Sequence, residues 1–225
     1  LVEDGATLQV GLGGIPEALP AQLSDRRDLG LYGMMTDGAM DLIRAGVITG
    51  ARYTPAPGTV EVGEVVGTAE LFSFVDGNEA VRAVSVDYAM DPTTFARIPA
   101  LVAVNSAIEV DLSGQVNAET IGHRVVSGAG GQCDYMQGAA MSPGGISVIA
   151  LRSTTSDGRS RIVSALASGS VVTTPRTAVS HVVTEHGVAE LHGRTLRQRA
   201  DALVAIAAPE HRDALLDDLH RFSVP

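Results

Sequence analysis

The stretch Ser127–Gly145 reads SGAGGQCDYMQGAAMSPGG, and the architecture around it follows from how it is read. Six of its nineteen residues are glycine, so Gly128-Ala129-Gly130-Gly131 lets backbone N–H groups approach a ligand with no side chain between them. Gln132–Ala140 has no proline and predicts a short helix, whose free N-terminal N–H groups point back at the glycines. That pairing suits an anionic ligand or the oxyanion of an acyl-transfer intermediate. A tight turn between a strand and a helix is the plainer reading of the same residues. The chain's single cysteine, Cys133, lies just beyond the glycines. It is read as a small buried filler or as a reactive group.

Near the start of the chain the same grammar recurs. Thr7–Gly11 predicts a short buried strand, followed by Gly11-Leu12-Gly13-Gly14-Ile15 and then Pro16, which suits a first helical turn. Strand, glycine turn and helix make a ligand-binding turn of the kind found at strand C-termini in α/β sheets. A third glycine at the spacing of a dinucleotide fingerprint is absent.

Between and beyond these loops, strand-like and helix-like segments alternate. Strands are expected at Leu29–Leu31, Thr59–Val66 (with Glu61 on one face), Val81–Val86, Leu101–Asn105, Ala107–Leu112, Ile146–Leu151 and Arg161–Leu166. Helices are expected at Asp37–Ala45, closed by Gly46, at Ala69–Val75, at Arg194–Ala207 and from Pro209 onward. Ser113-Gly114 reads as a hairpin turn. Glu109 and Asp111 then share a face, for acid/base work or, as the favoured reading, for bonds to a neighbouring loop. His181, Glu185 and His186 lack zinc spacing, so no metal is expected. The fold class is α/β: an open, largely parallel sheet flanked by helices, with some antiparallel strands.

Composition narrows the partners. The chain has 225 residues, 45% hydrophobic, 19% charged, with a formal net charge of −10. That balance argues against nucleic acid or an anionic membrane as partner. No apolar run approaches the roughly 18–20 residues of a membrane span. All sixteen basic residues are arginine, read as composition bias. One cysteine excludes an internal disulfide and fits a cytoplasmic location. The opening LVEDGATLQ has no methionine and reads as the end of a helix entering a strand, so an N-terminal half is expected to be missing or separate.

Six ordered blocks carry a resemblance over nearly the whole chain. They are Asp4–Leu19, Thr36–Gly50, Val104–Gly122, the glycine stretch, Ser160–Arg176 and His181–Arg212. Together they resemble the C-terminal half of the acetyl-CoA hydrolase/transferase family, which includes 4-hydroxybutyrate and butyryl-CoA:acetate CoA-transferases. The resemblance implies one C-terminal CoA-transferase-like α/β domain over residues 1–225, with acyl-CoA and a small carboxylate as substrates and no metal. It implies coenzyme A contacts at Gly11, Leu12, Gly13, Gly14 and Ile15. Gly128, Gly130 and Gly131 are the expected second cofactor-binding loop. A homo-oligomer, or pairing with an N-terminal half, is the expected assembly.

The family's reaction runs through a glutamate that becomes acylated and then carries CoA as a thioester. Its pattern is LG-x-H-S/T-E-M before S/T-D-G, whereas this chain reads Leu29-Gly30-Leu31-Tyr32-Gly33-Met34-Met35-Thr36-Asp37-Gly38. The segment is one residue short, and the residue missing between Gly33 and Met34 is the glutamate. Tyr32 replaces the family's histidine, and Met90 stands where its DY-x-N-D/H-P loop has asparagine. Either the polypeptide carries a glutamate that this sequence does not show, or the nucleophile is gone. A deletion in a buried strand should shift its register. Without that glutamate, Glu109 and Cys133 are the substitute catalytic candidates. The alternatives to a CoA-transferase (or acyl-CoA hydrolase) are then a repurposed acyl-CoA-binding enzyme, of decarboxylase or isomerase type, and a non-catalytic subunit.

Overall fold

The computed structural model describes residues 1–221, which divide into two compact units. The first comprises Leu1–Asn105 with Gln137–Ile146; the second comprises Ser106–Met136 with the residues from Ser147 onward.

In the first unit strands and helices alternate: β1 (Thr7–Val10), α1 (Gly14–Ala18), β2 (Gly30–Met35), α2 (Asp37–Arg44), β3 (Val60–Val65), α3 (Ala69–Val75), β4 (Val81–Ala83), α4 (Val86–Ala89), α5 (Pro92–Phe95) and β5 (Leu101–Asn105). The five strands lie in the order β5-β1-β2-β3-β4, and every pairing is parallel. All residues of β1 and β5 are buried, as expected for parallel strands covered on both faces. Helix α2 stops where predicted: Gly46 takes φ +72, a left-handed conformation that favours glycine. Parallel pairing sets the C-terminal ends of all five strands at one edge of this unit. The loops that follow β1, β2, β3 and β4 therefore emerge there.

Three expected strands are cut short: Ala107–Leu112 is strand only over Glu109–Asp111, Arg161–Leu166 only over Ile162–Val163, and the third change bears on the site. Val81–Val86 is strand only through Ala83, and Val86–Ala89 coils into α4. Tyr88 is thereby turned inward onto Glu61, a contact made across 27 residues of sequence.

The second unit contains β6 (Glu109–Asp111), β7 (Val116–Asn117), β8 (Thr120–Ile121), β9 (Arg124–Val125), α6 (Gln132–Met141), β10 (Ile146–Ala150), β11 (Ile162–Val163), β12 (His181–Thr184), β13 (Gly187–Glu190), α7 (Leu196–Ile206) and α8 (Pro209–Arg221). Helix α6 begins in this unit and passes to the first at Gln137. The predicted turn at Ser113-Gly114 joins β6 to β7 as an antiparallel hairpin, with Gly114 at φ +93. Strand β11 adds to β6 in parallel, β12 pairs in parallel with β10, and β13 returns antiparallel on β12. The α/β class with largely parallel pairing and some antiparallel additions is thus what the chain adopts.

Helix α7 opens with a capping box. Thr195 Oγ1 accepts from Gln198 N at 3.2 Å, and Gln198 Oε1 accepts from Thr195 N at 3.0 Å. Ala200, Leu203 and Val204 bury its inner face, whereas Leu196, in the first turn, remains 38% exposed. We expect Thr195→Ala to lower stability by about 1 kcal/mol. A denaturant midpoint that falls with an unchanged slope checks this; an unchanged midpoint contradicts it.

Candidate functional site

The loop after β1 is tight on one side and open on the other. Gly11 is buried and its amide donates to Val104 O at 2.9 Å. A Cβ there would collide with Asn105 Oδ1, so only glycine fits. Asn105 is itself buried, donating from Nδ2 to Gln9 Oε1 at 3.0 Å. Gly13 has φ +127 and donates its amide to Glu17 Oε1 at 3.1 Å. By contrast a Cβ on Gly14 would meet nothing within 4 Å, and Leu12 and Ile15 are 54% and 37% exposed. Gly11–Ile15 is therefore anchored beneath by the Gln9–Asn105 pair, and it presents backbone and two apolar side chains outward. Sequence reasoning missed that pair; its signal was two polar residues inside otherwise apolar strands.

At the end of β2 the short segment leaves a visible mark. Tyr32 pairs with Glu61 and Gly33 with Val62, but Met34 pairs with Glu64, so the register shifts by one. Gly63 on β3 is the residue left over. Gly33 has φ +90, and a Cβ on Gly63 would sit 3.3 Å from Ala89 Cβ and 3.7 Å from Gly33 O. The shift expected from a deletion is present, absorbed by a bulge on β3 and by a glycine on β2 at a conformation other residues resist.

Beneath this junction lies a buried polar cluster. Glu61 is fully buried; its Oε2 accepts from Tyr53 Oη at 2.5 Å and Tyr88 Oη at 3.1 Å. Arg82 Nη1 stands 2.7 Å from Glu61 Oε1 as an ion pair. Tyr32, also fully buried, donates from Oη to Ala89 O at 2.9 Å. Burial, followed by the hydrogen bond to Glu61, raises the pKa of both Tyr53 and Tyr88, so both phenols stay protonated and donate. After β2, Asp37 holds the loop following β3, accepting from Thr68 N at 3.1 Å and Thr68 Oγ1 at 2.6 Å.

In the second unit, residues 123–130 are all exposed, and a Cβ on Gly128 or Gly130 would meet nothing within 4 Å. Gly130 has φ +53, and Gly131 O accepts from Tyr135 N at 3.0 Å in the first turn of α6. The predicted arrangement of an open glycine loop feeding a helix N-terminus is present here. Cys133 is half-buried in that first turn. Glu109 Oε1 accepts from Asn117 Nδ2, Ser170 Oγ and Ala167 N at 3.0, 2.8 and 3.2 Å. Asp111 accepts from Ser113 N and Oγ and from Gln115 N and Nε2. Both carboxylates thus brace neighbouring loops, the favoured structural reading. Among the described residues no group of three or more His, Cys, Asp or Glu is placed to hold a metal ion, and no helix is long and apolar enough to cross a membrane.

A glycine turn at the C-terminal end of a central parallel strand, in a sheet of alternating strands and helices, defines the class: an α/β fold. The chain belongs to the acetyl-CoA hydrolase/transferase C-terminal domain family, whose model matches residues 67–219. It is 45% identical to the 4-hydroxybutyrate coenzyme A transferase of Clostridium kluyveri over 223 residues, covering 98% of this chain and 52% of that protein. Among solved structures, RipA from Yersinia pestis superposes with a TM-score of 0.92 at 36% identity, over 98% of this chain and 50% of that one. A 4-hydroxybutyrate CoA-transferase from Porphyromonas gingivalis gives a TM-score of 0.84 at 41% identity, over 98% and 52%. The chain spans about half the length of the curated relatives it matches.

Proposed function

We propose that the protein built on this chain acts on acyl-CoA thioesters, moving CoA between an acyl group and a small carboxylate or releasing it to water. Family membership carries this reading, and the two glycine loops support it. Gly11–Ile15, whose Gly11 and Gly13 amides are bonded within the chain, and Gly128, Gly130 and Gly131 offer open backbone that a CoA moiety or a developing oxyanion can approach. Binding energy from the distant parts of CoA would then lower the barrier at the thioester. A second copy, or a further half of the protein, would cover apolar side chains such as Ile121 and Val125, which are 56% and 71% exposed.

The finer reading is a glutamyl-CoA thioester. In it a glutamate attacks the acyl-CoA carbonyl and expels CoA thiolate; the thiolate attacks the mixed anhydride, releasing the carboxylate and leaving CoA on the enzyme. That route needs a carboxylate between Gly33 and Met34. A second reading, acyl-CoA bound without covalent capture, is favoured by one observation: β2 closes over the gap through Gly33 and the bulge at Gly63.

The reaction class is tested by mixing the full-length protein with an acyl-CoA and an isotope-labelled short carboxylate. Labelled acyl-CoA is the expected product of transfer, and free CoA formed without acceptor is that of hydrolysis. CoA that binds with neither product assigns the chain to the second reading. No binding and no product overturn the proposal.

A further inference from the structure

Faces of all-parallel sheets are normally apolar, because both are covered. In the first unit one row breaks that rule. Tyr32 on β2, Glu61 on β3 and Arg82 on β4 are direct neighbours in register across three strands. Burying a carboxylate there is costly unless each oxygen is matched. One is: Tyr53 and Tyr88 donate to Oε2, whereas Oε1 has no hydrogen-bond donor among the described residues and faces only the half-exposed Arg82 guanidinium, as an ion pair at 2.7 Å. Valine at this position would pack a parallel strand at less cost, so the arrangement points to what the carboxylate holds.

What it holds is α4. Tyr88 projects from α4 onto Glu61, and Tyr32 donates to the carbonyl of the next residue, Ala89. The same turn touches the short-strand junction, since Ala89 Cβ stands 3.3 Å from where a Cβ of Gly63 would be. Two hydroxyls, Tyr32's buried on β2 and Tyr88's half-buried on the segment itself, therefore pin Ser85–Asp91 at the C-terminal edge of β2 and β3.

We propose that Glu61 is a positioning residue: through Tyr88 it fixes the Ser85–Asp91 segment beside the Gly33–Met34 junction and so shapes the wall against which the acyl group of an acyl-CoA lies. This rests on the acyl-CoA reading above. Glu61 itself, fully buried, touches no substrate. Tyr53 supplies the control, because its hydroxyl donates to the same carboxylate oxygen from Tyr53's own loop, which is separate from Ser85–Asp91.

In the full-length protein, Tyr88→Phe and Tyr53→Phe are compared by acyl-CoA and free-CoA affinity and by hydrogen exchange. Tyr88→Phe is expected to weaken acyl-CoA binding about tenfold while leaving free CoA unchanged, the loss of one hydrogen bond to a charged acceptor. Exchange at residues 85–91 should rise by a similar factor. Tyr53→Phe should lower thermal stability and leave both acyl-CoA affinity and exchange at 85–91 as in the parent. Glu61→Gln, which keeps the shape and an acceptor oxygen, should fall between the two. Equal affinity and equal exchange in the two Phe variants would overturn the proposal and leave the cluster a purely structural brace. If the parent binds no acyl-CoA, the functional reading fails, and exchange at 85–91 alone then decides whether Glu61 positions the segment.

Discussion

A chain lengthened by one glutamate between Gly33 and Met34 is expected to gain a covalent step that the parent lacks. The register predicts where that residue goes. Met34 already pairs with Glu64 and Gly33 with Val62, so the inserted residue falls opposite Gly63 and restores one-to-one pairing. Side chains alternate along a strand, which sends the new carboxylate to the face of Tyr32, beside α4. Incubated with an acyl-CoA and reduced with borohydride, the lengthened protein should show a reduced glutamyl residue in the Leu29–Asp41 peptide, and the parent peptide should stay unmodified. Loss of a nucleophile in covalent catalysis costs on the order of a thousandfold or more in rate, so turnover should rise by a comparable factor. Thermal stability should hold or improve, because the bulge disappears. An adduct in the parent peptide would sink the idea that β2 is closed. An unmodified peptide in a lengthened protein that still binds acyl-CoA would show that this junction is not where the carboxylate acts.

Gly128→Val should separate binding from folding. A Cβ at Gly128 meets no heavy atom within 4 Å, and its backbone lies outside the left-handed region, so we expect the folded chain to accept valine there. A ligand resting on the loop's backbone would not. We expect CoA affinity to drop at least tenfold, about 1.4 kcal/mol, with the melting temperature unchanged. Gly130 is the less informative position, since its φ of +53 makes any side chain costly to folding as well. Unchanged affinity in calorimetry for Gly128→Val would remove this loop from the site.

How much of this was legible beforehand depended on whether the cause was local. β1 and β5, helix α2 with its glycine stop, the hairpin at Ser113-Gly114 and the helix after the glycine loop follow from residues a few positions apart, as does the cap at Thr195, which the reading of a helix from Arg194 did not name. Apolar periodicity, a φ that only glycine takes readily, and a side chain bonding three residues ahead are all written in short windows. The missing residue in β2 could likewise be read by comparing the blocks on either side of it. What the short strand does could not, because register belongs to a pair of strands. Only with β3 alongside does Gly63 become the bulge and Gly33 the residue that takes φ +90. Glu61 looked like one face of an alternating strand until tertiary structure brought Tyr53, Tyr88 and Arg82 onto it, and the expected strand beyond Ala83 gave way to α4, which carries Tyr88 inward. The donors on Glu109's carboxylate, from Asn117, Ala167 and Ser170, lie up to 61 positions away in sequence and came from the fold alone. The sequence by itself thus determined the family and the α/β elements with their glycine loops. Tertiary structure decided which carboxylates are spent and how the gap is closed, because burial of a charge depends on donors that only folding brings near.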